Sequence, residues 1–227
     1  PPGGPDHAGY AKRAMAADQA AVMGDLGFGA FSVVGHDRGA RMGLRMALDY
    51  PERVARLVGL DVVPTAGIFG RVERGLATSY FHWFMMLQPE PLAETLIGGA
   101  PEFWLRWVLE RWSTVPRAFT EAALAEYERC WTPETIHAAC EDYRAVAVDL
   151  EDDAKDADQV LRCPVQVLWG SHRDQHPGWP SAAFDMIAVW RARAADVRGR
   201  GLACGHFMPE EAPEEILAEI VPFLEGS

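Results

Sequence analysis

A carboxylate framed by two glycines, in Gly35-His36-Asp37-Arg38-Gly39, is the arrangement in this chain best suited to covalent chemistry. An apolar run, Phe31 to Val34, leads into it, and small or apolar residues at Ala40, Gly43, Leu44 and Ala47 follow at helical spacing. Strand, sharp turn and helix in that order have the spacing of a nucleophile elbow, where glycines let the backbone through a strained turn that lifts the central residue above the sheet edge. The central residue is Asp37, not serine. A carboxylate, with a reference pKa of about 4, is ionised at neutral pH and attacks carbon without a base to activate it. Arg38 and Arg41 stand beside it and suit an anionic substrate. The same residues would also serve as an ordinary turn carrying a surface acid.

Two further residues match this chemistry. Asp61 ends the run Val54 to Leu60, which reads as a buried parallel strand, and ligands bind at that end of the strands in open α/β sheets. His206 lies in a Gly-His loop between a last strand near Leu202 and a closing helix, Glu214 to Leu224. Nucleophile, orienting acid and base then follow the chain order of an α/β hydrolase whose acid comes one strand early. Asp174, in the turn after the strand Val165 to Trp169, is the rival for the acid; the tight strand-end context of Leu60-Asp61-Val62-Val63-Pro64-Thr65 favours Asp61. Asp37 would displace a leaving group from an sp³ carbon and become an ester. His206 would deprotonate the water that attacks the ester's carbonyl carbon, with Asp61 holding the imidazole.

The elements that must position these groups form an α/β core. A helix is expected over Tyr10 to Leu26, with Met15, Val22, Met23 and Leu26 on one side and Gly27 as the stop. Tyr50-Pro51 ends the helix after the elbow. From 66 to about 158 strand signals vanish, and five of the eight tryptophans (Trp83, Trp104, Trp107, Trp112 and Trp131) fall on helix-like stretches broken by prolines. The acidic run Asp149 to Asp158 reads as the solvated return from this insertion. In the closing helix Ile216, Ile220 and Phe223 face inward, and Pro222 is expected to end or bend it. The division is core over 1–65, helical cap over 66–158 and core again over 159–227.

Composition bounds the function. The 227 residues, 49% hydrophobic, suit one core with a sizeable insertion, and no apolar run of about 18 residues offers a membrane span. A net charge of −12, with Lys and Arg interleaved among acids, argues against nucleic acid, so an anionic substrate has to be drawn by a local site. Cys130, Cys140, Cys163 and Cys204 form no C-x-x-C pair; free thiols in a reducing cytoplasm are expected rather than disulfides or zinc. The chain opens Pro1-Pro2-Gly3-Gly4-Pro5, without a signal-peptide pattern and without Met, as a fragment would.

Five stretches together resemble the fluoroacetate (haloacetate) dehalogenases of the α/β-hydrolase superfamily. They are Gly35-His36-Asp37-Arg38-Gly39-Ala40-Arg41, Leu60 to Thr65, Tyr80-Phe81-His82-Trp83, Cys140-Glu141-Asp142-Tyr143-Arg144-Ala145 and Gly205-His206-Phe207-Met208-Pro209-Glu210-Glu211-Ala212-Pro213. The resemblance implies Asp37 as nucleophile, Asp61 as acid and His206 as base. It implies Arg38 and Arg41 as the clamp on the substrate carboxylate, with His82, Trp83 and Tyr143 as donors to the departing halide; on residue type alone Trp83 and Tyr143 equally suit core packing. It further implies a small anionic organic substrate with water as co-substrate, no metal or organic cofactor, and pairing of two copies through the cap. In the family several strands and a His-Gly loop precede the helix near Tyr10, so an N-terminally truncated chain, with an exposed sheet edge and half an oxyanion hole, is expected. Epoxide hydrolase is the alternative activity: it shares the Asp and His but wants two cap tyrosines, Tyr143 and either Tyr80 or Tyr127. A neutral haloalkane would leave the paired arginines without partners, and a catalytically inactive scaffold would not need the acid, base and nucleophile.

Overall fold

The computed structural model describes residues 4–69, 72–173 and 183–226. Its centre is a four-stranded, all-parallel sheet in the order β1 (Phe31–His36), β2 (Val54–Leu60), β3 (Val165–Gly170), β4 (Val197–Leu202). The central strands β2 and β3 are rich in Val and Leu, whereas the edge strand β4, Val197-Arg198-Gly199-Arg200-Gly201-Leu202, buries only its two ends; parallel neighbours need a crossover between them. The helix α2 (Arg38–Asp49) makes the first crossover, and Leu57, Val58, Val165, Val167 and Leu168 are fully buried between the layers. The result is a parallel sheet flanked by helices, the α/β core that the sequence predicts.

Between β2 and β3 the chain is helical: α3 (Thr65–Phe69), α4 (Arg74–Ser79), α5 (Phe81–Met86), α6 (Leu92–Gly98), α7 (Pro101–Trp112), α8 (Glu121–Cys130), α9 (Pro133–Arg144) and α10 (Val146–Lys155). Thr120 and Thr132 cap α8 and α9 by accepting from the backbone N–H groups of Ala123 and Thr135. Among the described residues no helix is long and apolar enough to cross a membrane, and the four cysteines are free.

Two expectations are corrected and a third is narrowed. The first helix, α1 (Lys12–Asp25), buries Lys12, Ala16 and Ala20, while Val22 and Leu26 are 49% and 65% exposed. Alanines let α1 approach α2 closely, which a face of long side chains would not permit. The acidic run is no solvated linker. Asp149 accepts the Lys12 backbone N–H at 2.7 Å, Asp152 meets Arg13 at 2.9 Å, and Asp156 meets Arg13 and Arg45 at 2.6 and 2.8 Å, so α10 is fastened to α1 and α2. The cations that make this burial tolerable lie more than a hundred residues away in sequence. Pro222 does not end the closing helix, which runs from Pro213 to Glu225 with Ile216, Ile220 and Phe223 buried and Gly226 as its left-handed cap.

Candidate active site

The two acids are neighbours because their strands are. His36 pairs with Leu60 in the β1–β2 register, and the ladder continues one step further: Asp37 N–H donates to Leu60 O at 3.0 Å and Asp61 N–H to Leu168 O at 2.8 Å. Both residues then leave their strands with positive φ, 48° at Asp37 and 46° at Asp61. A non-glycine residue held there costs about 1–3 kcal/mol, a strain concentrated at functional turns. Gly35 makes the elbow feasible, since a Cβ would come within 2.6 Å of the Ala40 backbone. Gly39 does not serve the turn in that way, because a Cβ there would meet open space. Only one of the two framing glycines is therefore required by sterics.

His206 arrives from the β4 side of the sheet. The loop after β4 packs over the end of β3, where Gly170 leaves room for the Gly205 carbonyl, which would lie 2.2 Å from a Cβ. His206 Nδ1 lies 2.7 Å from Asp61 Oδ2, and its Nε2 lies 3.5 Å from Asp37 Oδ2. Asp61 Oδ1 accepts the Gly170 N–H at 3.1 Å, which fixes the carboxylate's orientation. His36 Nε2–H donates to the His206 carbonyl at 2.7 Å and its ring lies 4.7 Å from the His206 ring. His36 thus braces the His206 loop, a contact that its place in the motif did not disclose. Asp174, the rival acid, lies outside the described residues.

The electrostatics follow from this geometry. Burial opposes charge on His206, but its hydrogen bonds to Asp37 and Asp61 outweigh that and hold it pushed up to about 9. Burial would raise Asp37, yet the His206 hydrogen bond and charge, together with Arg41, hold it far below the usual carboxylate range. The resting site is thus an imidazolium between two carboxylates.

Arg38 and Arg41 both reach the site, on different terms. Arg38 is engaged by Asp142 through its Nε and lies 4.1 Å over the Tyr143 ring. Asp142 is held in turn by Lys12. Arg41 is buried, donates from Nε to Val63 O at 3.2 Å, lies 4.3 Å over the Trp83 ring, and among the described residues leaves Nη1 without a hydrogen-bond partner. A buried guanidinium with an unmet donor is costly unless something anionic completes it.

His82 and Trp83 on α5 and Tyr143 on α9 are brought together: the Tyr143 ring is 5.8 Å from each of the other two. Burial pushes His82 down to about 3, so its ring is neutral, and its buried Nδ1 has no hydrogen-bond partner among the described residues. Trp112, not among the expected site residues, stands between His82 at 4.4 Å and His206 at 5.3 Å. Only the tertiary contact reveals it, because its position in α7 looks like any helical tryptophan. A cleft of about 420 Å³ holds Asp37, Arg38 and His206, walled by Trp104, Leu105 and Trp112. A larger groove of about 730 Å³ along the α7–α8 connection is lined by none of Asp37, Asp61 and His206, so size does not mark the chemistry. Elsewhere Glu90, Glu94 and His137 gather ligand-type atoms within 4.8 Å of one another. Glu94 has both oxygens on Arg144, at 2.6 and 2.8 Å, so that group is an ion-pair cluster.

The chain belongs to the alpha/beta hydrolase fold family, whose family model matches residues 1–172. It is a hydrolase of that fold. Among individual proteins it is 40% identical over 227 residues to the fluoroacetate dehalogenase of Burkholderia sp, covering 99% of this chain and 73% of that protein. It is 30% identical over 226 residues to the soluble epoxide hydrolase of Corynebacterium sp. (strain C12), covering 95% and 74%. The crystal structure of ALR0039 from Nostoc sp PCC 7120 superposes with a TM-score of 0.95 at 50% identity, covering 100% of this chain and 77% of that one.

Proposed function

We propose that the protein hydrolyses the carbon–halogen bond of short 2-haloacids, fluoroacetate or chloroacetate, to glycolate and halide through an ester on Asp37. The observation that carries this reading is Arg41: a buried cation beside the nucleophile, with Nη1 unmet, calls for an anionic substrate. The likeness to a fluoroacetate dehalogenase supports it.

In this reading Arg41 and the remaining donor capacity of Arg38 hold the substrate carboxylate and aim its C2 at Asp37. The Asp37 oxygen attacks C2, the carbon–halogen bond breaks, and the halide leaves toward His82, Trp83 and Tyr143. Burial raises the Tyr143 hydroxyl well above its ordinary value and keeps it a donor. Donors aimed at developing charge in a dry pocket stabilise the transition state far more than they would in water. No metal or organic cofactor is needed, because the nucleophile is already ionised and the leaving group departs as its own anion.

Ester formation also prepares the second step. Esterified Asp37 carries no charge, so one of the two carboxylates that hold the proton on His206 disappears, and burial then favours neutral imidazole. Neutral His206 takes a proton from water, the hydroxide attacks the ester carbonyl carbon, and glycolate leaves with Asp37 restored. Asp61 keeps Nδ1 protonated throughout. The helices between β2 and β3 act as the cap over this chemistry.

Epoxide hydrolysis is the second reading. Tyr80 lies 5.6 Å from both His82 and Trp83, the rings that Tyr143 also meets, so two tyrosines converge as that reaction requires. Tyr127 is the weaker partner, since its hydroxyl donates to Glu210 at 2.7 Å. Halide release from fluoroacetate and chloroacetate, measured beside diol formation from styrene oxide, decides between them. Turnover of the oxide with no halide from either acid would reverse the order.

A further inference from the structure

Glu211, in the short helix Met208–Glu211, is only 8% exposed, yet among the described residues no cationic side chain pairs with it. Its charge is met by five donors from two places. Oε1 accepts the Phe207 N–H at 2.9 Å, and Oε2 accepts the Gly205 N–H at 2.8 Å, so the carboxylate grips the backbone on both sides of His206. Oε2 also accepts the N–H groups of Thr114 and Val115 at 2.8 and 3.1 Å and the Thr114 hydroxyl at 3.1 Å, just beyond the end of α7. The His206 N–H donates to Trp112 O at 3.1 Å, a third tie between the same two segments. Trp112 in turn presents its ring edge-on to His206.

We propose that Glu211 is a positioning residue, which holds the His206 loop to the end of α7 and thereby sets the imidazole for its attack-assisting role on the Asp37 ester. The proposal rests on the two-step reading above. A carboxylate suits the task better than a neutral acceptor, because charge-assisted bonds to N–H groups are shorter and about twice as strong. Oε2 alone serves four donors, so an amide in this place would set an NH₂ group against backbone N–H groups in either orientation. A displacement of the base by even about 1 Å costs on the order of 100-fold in rate. Ester formation does not use His206 as a base and so tolerates that displacement; ester hydrolysis depends on it.

The test compares Glu211→Gln, Glu211→Asp and Thr114→Ala with a destabilised control, Ile220→Val, in the closing helix. Single turnovers with chloroacetate, followed by intact-protein mass, report ester formation and ester loss separately. In Glu211→Gln the ester is expected to accumulate, with hydrolysis slowed by tenfold to 100-fold and formation changed by less than about threefold. Glu211→Asp, which keeps the charge, is expected to recover part of the loss, and Thr114→Ala, which removes one donor, to show a smaller effect. The low-field NMR signal of the His206 Nδ1 proton is read on the same proteins without substrate. It is expected to move or to exchange faster in the Glu211 variants and to stay unchanged in Ile220→Val. Equal slowing of both steps, or a His206 signal in Glu211→Gln and Glu211→Asp that matches the control, overturns the proposal. If the wild-type protein forms no ester while the His206 signal still responds to Glu211, the two-step reading fails and the positioning role stands. Should Glu211→Gln not fold, Glu211→Asp and Thr114→Ala give the same two readouts.

Discussion

Asp61 Oδ2 and His206 Nδ1 lie 2.7 Å apart although 145 residues of chain separate them. Parallel strands bring this about, with β3 lying between the strand that ends at Asp61 and the one that leads to His206. Whether that contact serves ester hydrolysis is open to direct measurement. His206→Gln is expected to stop turnover after one event and to leave a covalent adduct on Asp37, seen as added mass. Asp61→Asn, which keeps the shape but favours the wrong imidazole tautomer, should slow hydrolysis by roughly 10³- to 10⁴-fold. An adduct-free His206→Gln protein after incubation with chloroacetate would exclude the covalent route.

The proton on His206 should show in both titration and stability. Its folded value, raised to about 9, exceeds the unfolded reference of 6.5, so its contribution to stability is full below 6.5 and is lost as pH rises through about 9. Urea unfolding on both sides of that interval is expected to show the loss. Asp37→Asn removes one of the two carboxylates, as the ester does, and should bring the His206 imidazole titration down toward neutrality by NMR.

Arg41 should matter to the charged substrate alone. Arg41→Met removes a charge-assisted contact of about 1.5–3 kcal/mol, which is roughly 10- to 150-fold in kcat/KM for haloacetates. Uncharged bromoethanol, if accepted at all, should lose no more than about threefold. An equal loss on both compounds would mean that Arg41 acts by packing on Trp83 and not by binding the carboxylate.

The two elbow glycines should behave differently. Gly35→Ala sets a methyl group against the Ala40 backbone and is expected to cost at least about 1–3 kcal/mol, with loss of folded protein or a lower urea midpoint. Gly39→Ala meets no neighbour and is expected to stay within about 0.5 kcal/mol of wild type.

Lys12 joins α1 to Asp142 and Asp149, and through Asp142 to Arg38. Lys12→Met would take the cation from buried Asp149 and leave Asp142 with Arg38 alone, a loss of about 3–5 kcal/mol in chemical unfolding. The variant should also raise KM for haloacetates, since Asp142 would then engage Arg38 without a counter-pull.

Much of the site was legible as local pattern. The elbow, the strand ending at Asp61 and the Gly-His loop each announce themselves within about seven residues, because turns and strand ends are set by short-range backbone sterics. Glu211, His36 and Trp112 lay inside or beside stretches already singled out, yet nothing local says that Glu211 grips Thr114 or that Trp112 meets His206. The face by which α1 packs is hidden in the sequence for a related reason. Hydrophobic spacing presumes that bulky residues face the core, whereas α1 approaches α2 through alanines and turns Lys12 and Arg13 toward acids of α10.

The sequence by itself determined the parallel α/β core, the long helical stretch between its second and third strands, and a carboxylate at the elbow in place of serine. These depend on periodicity, turn chemistry and residue type, which are properties of neighbouring residues. Tertiary structure alone decided which charges are met and which are not: Arg38 held by Asp142, Arg41 left with an open donor, the acidic run drawn inward, and His206 suspended between two acids. Those outcomes depend on distances between segments far apart in the chain and on the exclusion of water around them, and charge energetics change several-fold with both.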